Sequence, residues 1–128
     1  MSKLVIENVT RTFPGVHGGA PTEALVPTSL TVADNDFITI LGPSGCGKST
    51  LLRIIAGLDV PTSGRVLLDG VPVIGPSVDR GMVFQSYTLF PWLTIRENVC
   101  FGLRERGMPP ARQQEIAGHW LAKVGLTG

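Results

Sequence analysis

At 128 residues the chain is the size of one ordinary domain and long enough to bury a core, which sets aside a disordered tail or a small disulfide-stapled module. Eleven Lys and Arg against ten Asp and Glu leave a formal charge of +1, so no overall basic field points to nucleic acid or an anionic membrane surface, and any bound anion must be held by a local site. The two cysteines, Cys46 and Cys100, match no zinc or disulfide spacing and read as free thiols suited to a reducing cytosol.

The start, Met1-Ser2-Lys3-Leu4-Val5-Ile6-Glu7, is too short an apolar run for a secretory leader. No stretch approaches the roughly 20 apolar residues that span a bilayer, so any membrane role is expected to be peripheral. Leu4 to Val9 alternates with polar neighbours and predicts a strand, followed by a Gly/Pro-rich loop from Pro14 to Pro21. Leu25 to Val32 predicts a second strand. After the turn Asp34-Asn35-Asp36, the run Phe37-Ile38-Thr39-Ile40-Leu41 is nearly all apolar, as expected of a strand covered on both faces by parallel neighbours.

From Lys48 to Ala56, Leu51, Leu52, Ile54 and Ile55 recur at helical spacing, with Gly57 as the stop. Arg65 to Leu68 predicts a strand, and Asp69-Gly70 has the composition of a two-residue hairpin turn before Val71-Pro72-Val73. Gly81-Met82-Val83-Phe84 predicts another short buried strand. Thr94 and Glu97 form a capping-box pattern over a helix from Ile95 to Leu103. A last helix, Ala111 to Val124, is expected to present Ile116, Trp120, Leu121 and Val124 on one side.

The chemistry concentrates in Gly42-Pro43-Ser44-Gly45-Cys46-Gly47-Lys48-Ser49, which fits the phosphate-loop pattern G-x-x-x-x-G-K-S/T between a predicted strand and a predicted helix. Glycines let successive backbone N–H groups converge on phosphate oxygens. The following helix directs its positive end to the same place. Lys48 can reach the β- and γ-phosphates as a mobile point charge, Ser49 can coordinate Mg²⁺, and Thr50 adds a hydroxyl for the α-phosphate. A Gly-rich turn that only capped a helix would need neither Lys48 nor Ser49. Arg65-Val66-Leu67-Leu68-Asp69 imitates the apolar strand plus Asp that holds Mg²⁺ in many phosphate-loop enzymes, but Gly70 after it favours the hairpin turn.

Beyond the loop, Thr50-Leu51-Leu52, Ile55-Ala56-Gly57-Leu58, Pro61-Thr62-Ser63-Gly64, Asp69-Gly70 and Met82-Val83-Phe84-Gln85-Ser86 follow in an order that closely resembles the ABC ATPase family over nearly the whole chain. The resemblance implies an α/β fold: a P-loop NTPase core of RecA type with an antiparallel β subdomain over residues 1–85, then the beginning of a helical subdomain over 86–128. It implies ATP and Mg²⁺ as cofactors, with Gln85 as the glutamine that contacts the metal or the attacking water. Phe13 resembles the aromatic that stacks on adenine, although a core Phe is the plain alternative. Leu89-Phe90-Pro91-Trp92-Leu93-Thr94 corresponds to the groove that receives a coupling helix from a membrane permease, with Trp92 as anchor or, alternatively, as packing inside the helical subdomain. Pro91-Trp92 resembles the nitrate, sulfonate and taurine importer branch.

The implied partners are a second nucleotide-binding subunit, the permease subunits near Phe90 and Trp92, and indirectly an extracytoplasmic solute-binding protein, with no nucleic acid. The implied place is the cytoplasmic side of the plasma membrane. The family's signature motif, its Asp-Glu strand and its switch histidine are not found before Gly125-Leu126-Thr127-Gly128. The expectation is therefore an N-terminal part of such a subunit, which by itself should bind ATP weakly or not at all and not hydrolyse it. A nucleotide-binding module without turnover and a soluble ABC protein outside transport are the competing readings. A small-molecule kinase or GTPase would share the loop but not Gln85 with its flanks.

Overall fold

A computed structural model describes residues 3–43 and 47–126. The chain divides into two compact units, Met1–Val83 and Phe84–Gly128.

The first unit is an antiparallel sheet with one helix packed on it. Its strands are β1 (Leu4–Phe13), β2 (Thr22–Val32), β3 (Ser63–Leu68) and β4 (Val71–Pro72), in the order β2-β1-β3-β4, and helix α1 spans Lys48–Ala56. Ile6, Val9, Leu25 and Val66 from the sheet close over Leu51 and Ile54 from α1. Strict alternation would put Ile6 and Val9 on opposite faces, because successive strand side chains point to opposite sides. Both are nevertheless buried, since the ladder slips between them and Asn8 takes a positive φ of 48°. Ser29 holds this bulge by accepting from Asn8 N at 3.0 Å and donating to Asn8 Oδ1 at 3.2 Å. The bulge resets the phase, so β1 runs four residues past the predicted end at Val9, to Phe13. Gly64 lies so close to the bulge that a Cβ there would stand 2.2 Å from Asn8 O.

Asp69 (φ 52°) and Gly70 (φ 80°) make the tight turn between β3 and β4, with Leu68 opposite Val71. The Asp69 carboxylate accepts from Lys3 N at 2.7 Å, so it closes the start of the sheet. Helix α1 has the predicted bounds and ends at Gly57, where Gly57 N and Leu58 N donate to Ile54 O and Arg53 O at 3.1 and 2.9 Å. Arg80 then staples the loop beyond β4 to the helix end. Its guanidinium donates to Ile55 O at 2.9 Å and Gly75 O at 2.7 Å, where a cation complements the helix dipole. Hydrogen bonding from Ser77, reinforced by Arg80, holds the Asp79 carboxyl below its ordinary pKa.

Two predicted strands do not form. Residues 37–41 and 81–84 are irregular, with Phe37 93%, Leu41 87% and Val83 97% exposed. Two-sided apolarity makes a segment suited to a sheet interior, but a strand exists only when a neighbour supplies the ladder, and among the described residues none pairs with either segment.

The second unit packs α2 (Ile95–Glu105) against α3 (Pro110–Lys123). The capping box is complete: Glu97 N donates to Thr94 Oγ1 at 3.1 Å and Thr94 N to Glu97 Oε2 at 2.8 Å. Helix α3 begins one residue earlier than predicted because Pro110 fits the first helical turn. Its buried stripe is Gln113, Ala117 and Leu121, facing Cys100, and Trp120 and Val124 are exposed, contrary to the predicted face. A two-helix layer buries only a narrow i, i+4, i+8 stripe, and small Ala117 allows the close approach that Trp120 would prevent. Gln113 is accommodated inside because its Nε2 donates to Met108 O at 2.7 Å. No helix among the described residues is long and apolar enough to cross a membrane.

Candidate functional site

The site grows from the N-terminus of α1. Gly47 stands at the N-cap with φ 93° and ψ 7°, and no side chain caps the helix. A Cβ at this position would lie 2.5 Å from Ala24 O and 3.1 Å from Leu25 Cδ1, so the loop is pressed onto β2 in a conformation that L residues rarely adopt. The first intrahelical bond is Leu51 N to Gly47 O at 2.9 Å. The amides ahead of it therefore lack intrahelical acceptors, and no acidic residue occupies the first turn. Among the described residues, no acid in that first turn offsets the positive end of the helix dipole, a local arrangement that favours an anion.

Lys48 folds back across the loop. Its Nζ donates to Gly42 O and, at 2.8 Å, to Pro43 O, tying the two ends of the loop together. Gly42, Pro43, Gly47 and Lys48 line an open pocket of about 350 Å³ with Leu25, Thr28, Ile40, Leu41 and Leu51. Ser49 is exposed and Thr50 half-buried on the same first turn. Ser44, Gly45 and Cys46, the rest of the predicted loop, lie outside the described residues.

Phe13 ends β1 opposite Thr22, two residues along β2 from Ala24. At a rise of about 3.4 Å per residue, the backbone beneath Phe13 and the backbone beneath Gly47 are separated by about 7 Å along the strand. One hairpin thus carries both the aromatic and the loop. Phe13 does not line the pocket itself, and at 38% exposure it is no core residue. Its ring meets the Arg11 guanidinium, 4.5 Å from the ring centroid. Sequence reading passed over Arg11, although period-two alternation puts residues 11 and 13 on one strand face.

Gln85 is exposed in the second unit, in the irregular segment that leads to Phe90. In that unit Phe90 packs between Trp92 and Phe101, with ring centroids 5.3 and 4.6 Å away. Trp92 is 75% exposed, so packing inside the helical subdomain does not account for it. The loop that presents it is organised by Asn98, which sequence reading also passed over. Asn98 Oδ1 accepts from Phe90 N at 2.8 Å, and its Nδ2 approaches Phe90 O, Leu93 O and Thr94 O at 3.2, 3.3 and 2.8 Å.

A family model described as ABC transporter matches residues 25–128. An uncharacterised ABC transporter ATP-binding protein of Methanocaldococcus jannaschii is 54% identical over 126 residues, covering 98% of this chain and 46% of that protein. The nitrate import ATP-binding protein NrtD of Synechocystis is 47% identical, covering 96% of this chain and 46% of its own length. The taurine import ATP-binding protein TauB of Chromobacterium violaceum is 46% identical, covering 99% and 47%. The chain spans about half the length of these relatives. Among solved structures, a dimeric ATP-binding cassette in a post-hydrolysis state with ADP and Pi bound aligns with a TM-score of 0.78 at 33% identity, over 89% of this chain and 53% of that one.

Proposed function

This chain belongs to the ABC transporter family, and we propose that it is the nucleotide-binding part of an importer subunit that couples ATP hydrolysis to solute uptake. The observation that carries the reading is the N-terminus of α1: uncapped, free of acids in its first turn, and spanned by the Lys48 ammonium. The residues fit a triphosphate. Gly42, Ser44, Gly45, Cys46 and Gly47 would offer backbone donors, Pro43, which has no N–H, would shape the loop around the phosphates, and Lys48 would exchange the carbonyls of Gly42 and Pro43 for β- and γ-phosphate oxygens. Ser49 would hold Mg²⁺, whose role when bound is to neutralise charge between the phosphates, and the family resemblance gives Gln85 the part of contacting the metal or the attacking water. Thr50 would serve the α-phosphate, and Phe13 would stack on the base.

Exposed Trp92 on the Asn98-braced loop supports docking of permease subunits near Phe90 and Trp92, since buried aromatics dominate interface energetics. A second nucleotide-binding subunit completes the assembly, and an extracytoplasmic solute-binding protein would act on it only through the permease. The subunit would sit peripherally on the cytoplasmic face of the membrane. Its solute would be a small anion of the kind that the nitrate and taurine import relatives are named for.

The 128 residues by themselves are proposed to bind ATP weakly or not at all and not to hydrolyse it. Hydrolysis needs a group that orients the attacking water, and the acids after Gln85 are committed to helices: Glu97 in the capping box, Glu105 at the end of α2, and Glu115 paired with Arg112 at 2.9 Å. Titration of labelled ATP into the full-length protein tests the site. Lys48→Ala should weaken binding about 10- to 100-fold, because charge-assisted hydrogen bonds contribute about 1.5–3 kcal/mol. Unchanged affinity would remove Lys48 from the site.

A further inference from the structure

A partly buried ionic cluster lies under the proposed base platform. Arg11 Nη2 pairs with Asp59 Oδ1 at 3.2 Å, and the two side chains are only 22% and 19% exposed. Asp59 is itself fixed, because the same oxygen accepts from Val60 N at 2.8 Å. It stands in the segment leaving α1, just after the Gly57 cap, so the pair ties the end of β1 to the exit of the helix. One Arg11 donor is left over: its Nε is buried and finds no hydrogen-bond partner among the described residues. An unpaired buried donor costs stability and calls for a compensating role. The geometry supplies one, since the guanidinium lies over the Phe13 ring with Cζ 4.5 Å from its centroid, while Phe13 as a residue stays 38% exposed.

We propose that Arg11, anchored by Asp59, is a positioning residue that clamps the Phe13 ring as a platform for the base of a bound nucleoside triphosphate. This rests on the reading of Phe13 as the stacking aromatic. Two effects act together. The cation fixes the orientation of a side chain that would otherwise rotate at the end of a strand, so less ordering remains to be done on binding. It also draws π density toward the covered face, which lowers the repulsion that a stacked base meets on the open one. Stacking needs only a π face, so the clamp should aid purine bases alike and do nothing for a phosphate chain without a base.

The test measures affinities of the full-length protein for Mg-ATP, Mg-GTP and Mg-tripolyphosphate by competition against a labelled nucleotide. Arg11→Ala should weaken ATP and GTP about three- to tenfold, the range of a partly desolvated cation–π contact, and leave tripolyphosphate unchanged. Arg11→Lys, which keeps a cation, should recover most of that loss. Asp59→Asn should fall between them. In a Phe13→Ala background, Arg11→Ala should have no further effect on the preference for ATP over tripolyphosphate. If Arg11→Ala fails to fold, Arg11→Lys and Asp59→Asn read the same preference. An Arg11 series that leaves ATP affinity unchanged, or weakens ATP and tripolyphosphate equally, overturns the clamp. If Phe13→Ala itself leaves the ATP-to-tripolyphosphate preference unaltered, the base-platform reading fails instead, and the two failures are told apart by that variant alone.

Discussion

Two helices in this chain meet the same problem at their N-termini and solve it in opposite ways. Every helix begins with amides that have no partner inside it. Helix α2 satisfies its own, through the reciprocal bonds of Thr94 and Glu97, with Asn98 gathering the loop in front of it. Helix α1 begins at a glycine with no side-chain cap and no acid in the first turn. The first arrangement satisfies its amides with its own side chains; the second leaves its first turn open to the anion proposed above. Capping chemistry thus separates a helix start that serves stability from one that suits the proposed nucleotide site.

The largest effect expected from breaking this contrast is at Gly47. Gly47→Ala combines a positive φ with a Cβ forced toward Ala24 O, and left-handed strain and overpacking each cost about 1–3 kcal/mol. Thermal denaturation should show a marked loss of stability in the first unit, together with loss of ATP binding. A variant that melts and binds like the parent would show that the loop does not press on β2.

At the other helix, Asn98→Ala should destabilise the second unit by about 1–3 kcal/mol, because Phe90 N is left half-buried without its acceptor. Denaturant titration reads the loss. If ATP affinity fell as well, the division of labour between the two helix starts would be wrong. Thr94→Ala removes one cap and should cost about 1 kcal/mol, again without touching nucleotide affinity. Ser49→Asp sharpens the comparison from the other side with the smallest change. A carboxylate in the first turn of α1 should stabilise the nucleotide-free protein by about 0.3–1 kcal/mol while weakening ATP binding by charge repulsion. Stability and binding moving in the same direction would contradict a helix terminus reserved for an anion.

Much of the molecule was legible residue by residue. Helix α1, the Asp69-Gly70 turn and the Thr94/Glu97 cap were read correctly because each is decided by contacts within a few residues. The phosphate-loop pattern, on which the proposed site rests, is likewise a run of contiguous residues with separable tasks. Phe13 could be proposed from sequence, but Arg11 and Asp59, which stand 48 positions apart and meet at 3.2 Å, could not. Asn98 looked like any polar residue on the first turn of a helix until its amide was seen to reach Phe90, Leu93 and Thr94.

By itself, then, the sequence determined the local grammar: where helices start and stop, where the chain turns, and which contiguous residues match the phosphate-loop pattern. Tertiary structure decided what depends on a distant neighbour. It placed a bulge at Asn8 so that Ile6 and Val9 share one core. It chose Ala117 and Leu121 over Trp120 for the helix interface. It left residues 37–41 without a ladder among the described residues, although nothing in that run is hostile to a strand. Periodicity specifies which surfaces a segment can bury. Whether they are buried depends on the partner that arrives, and a ladder or a core face is a property of two segments together.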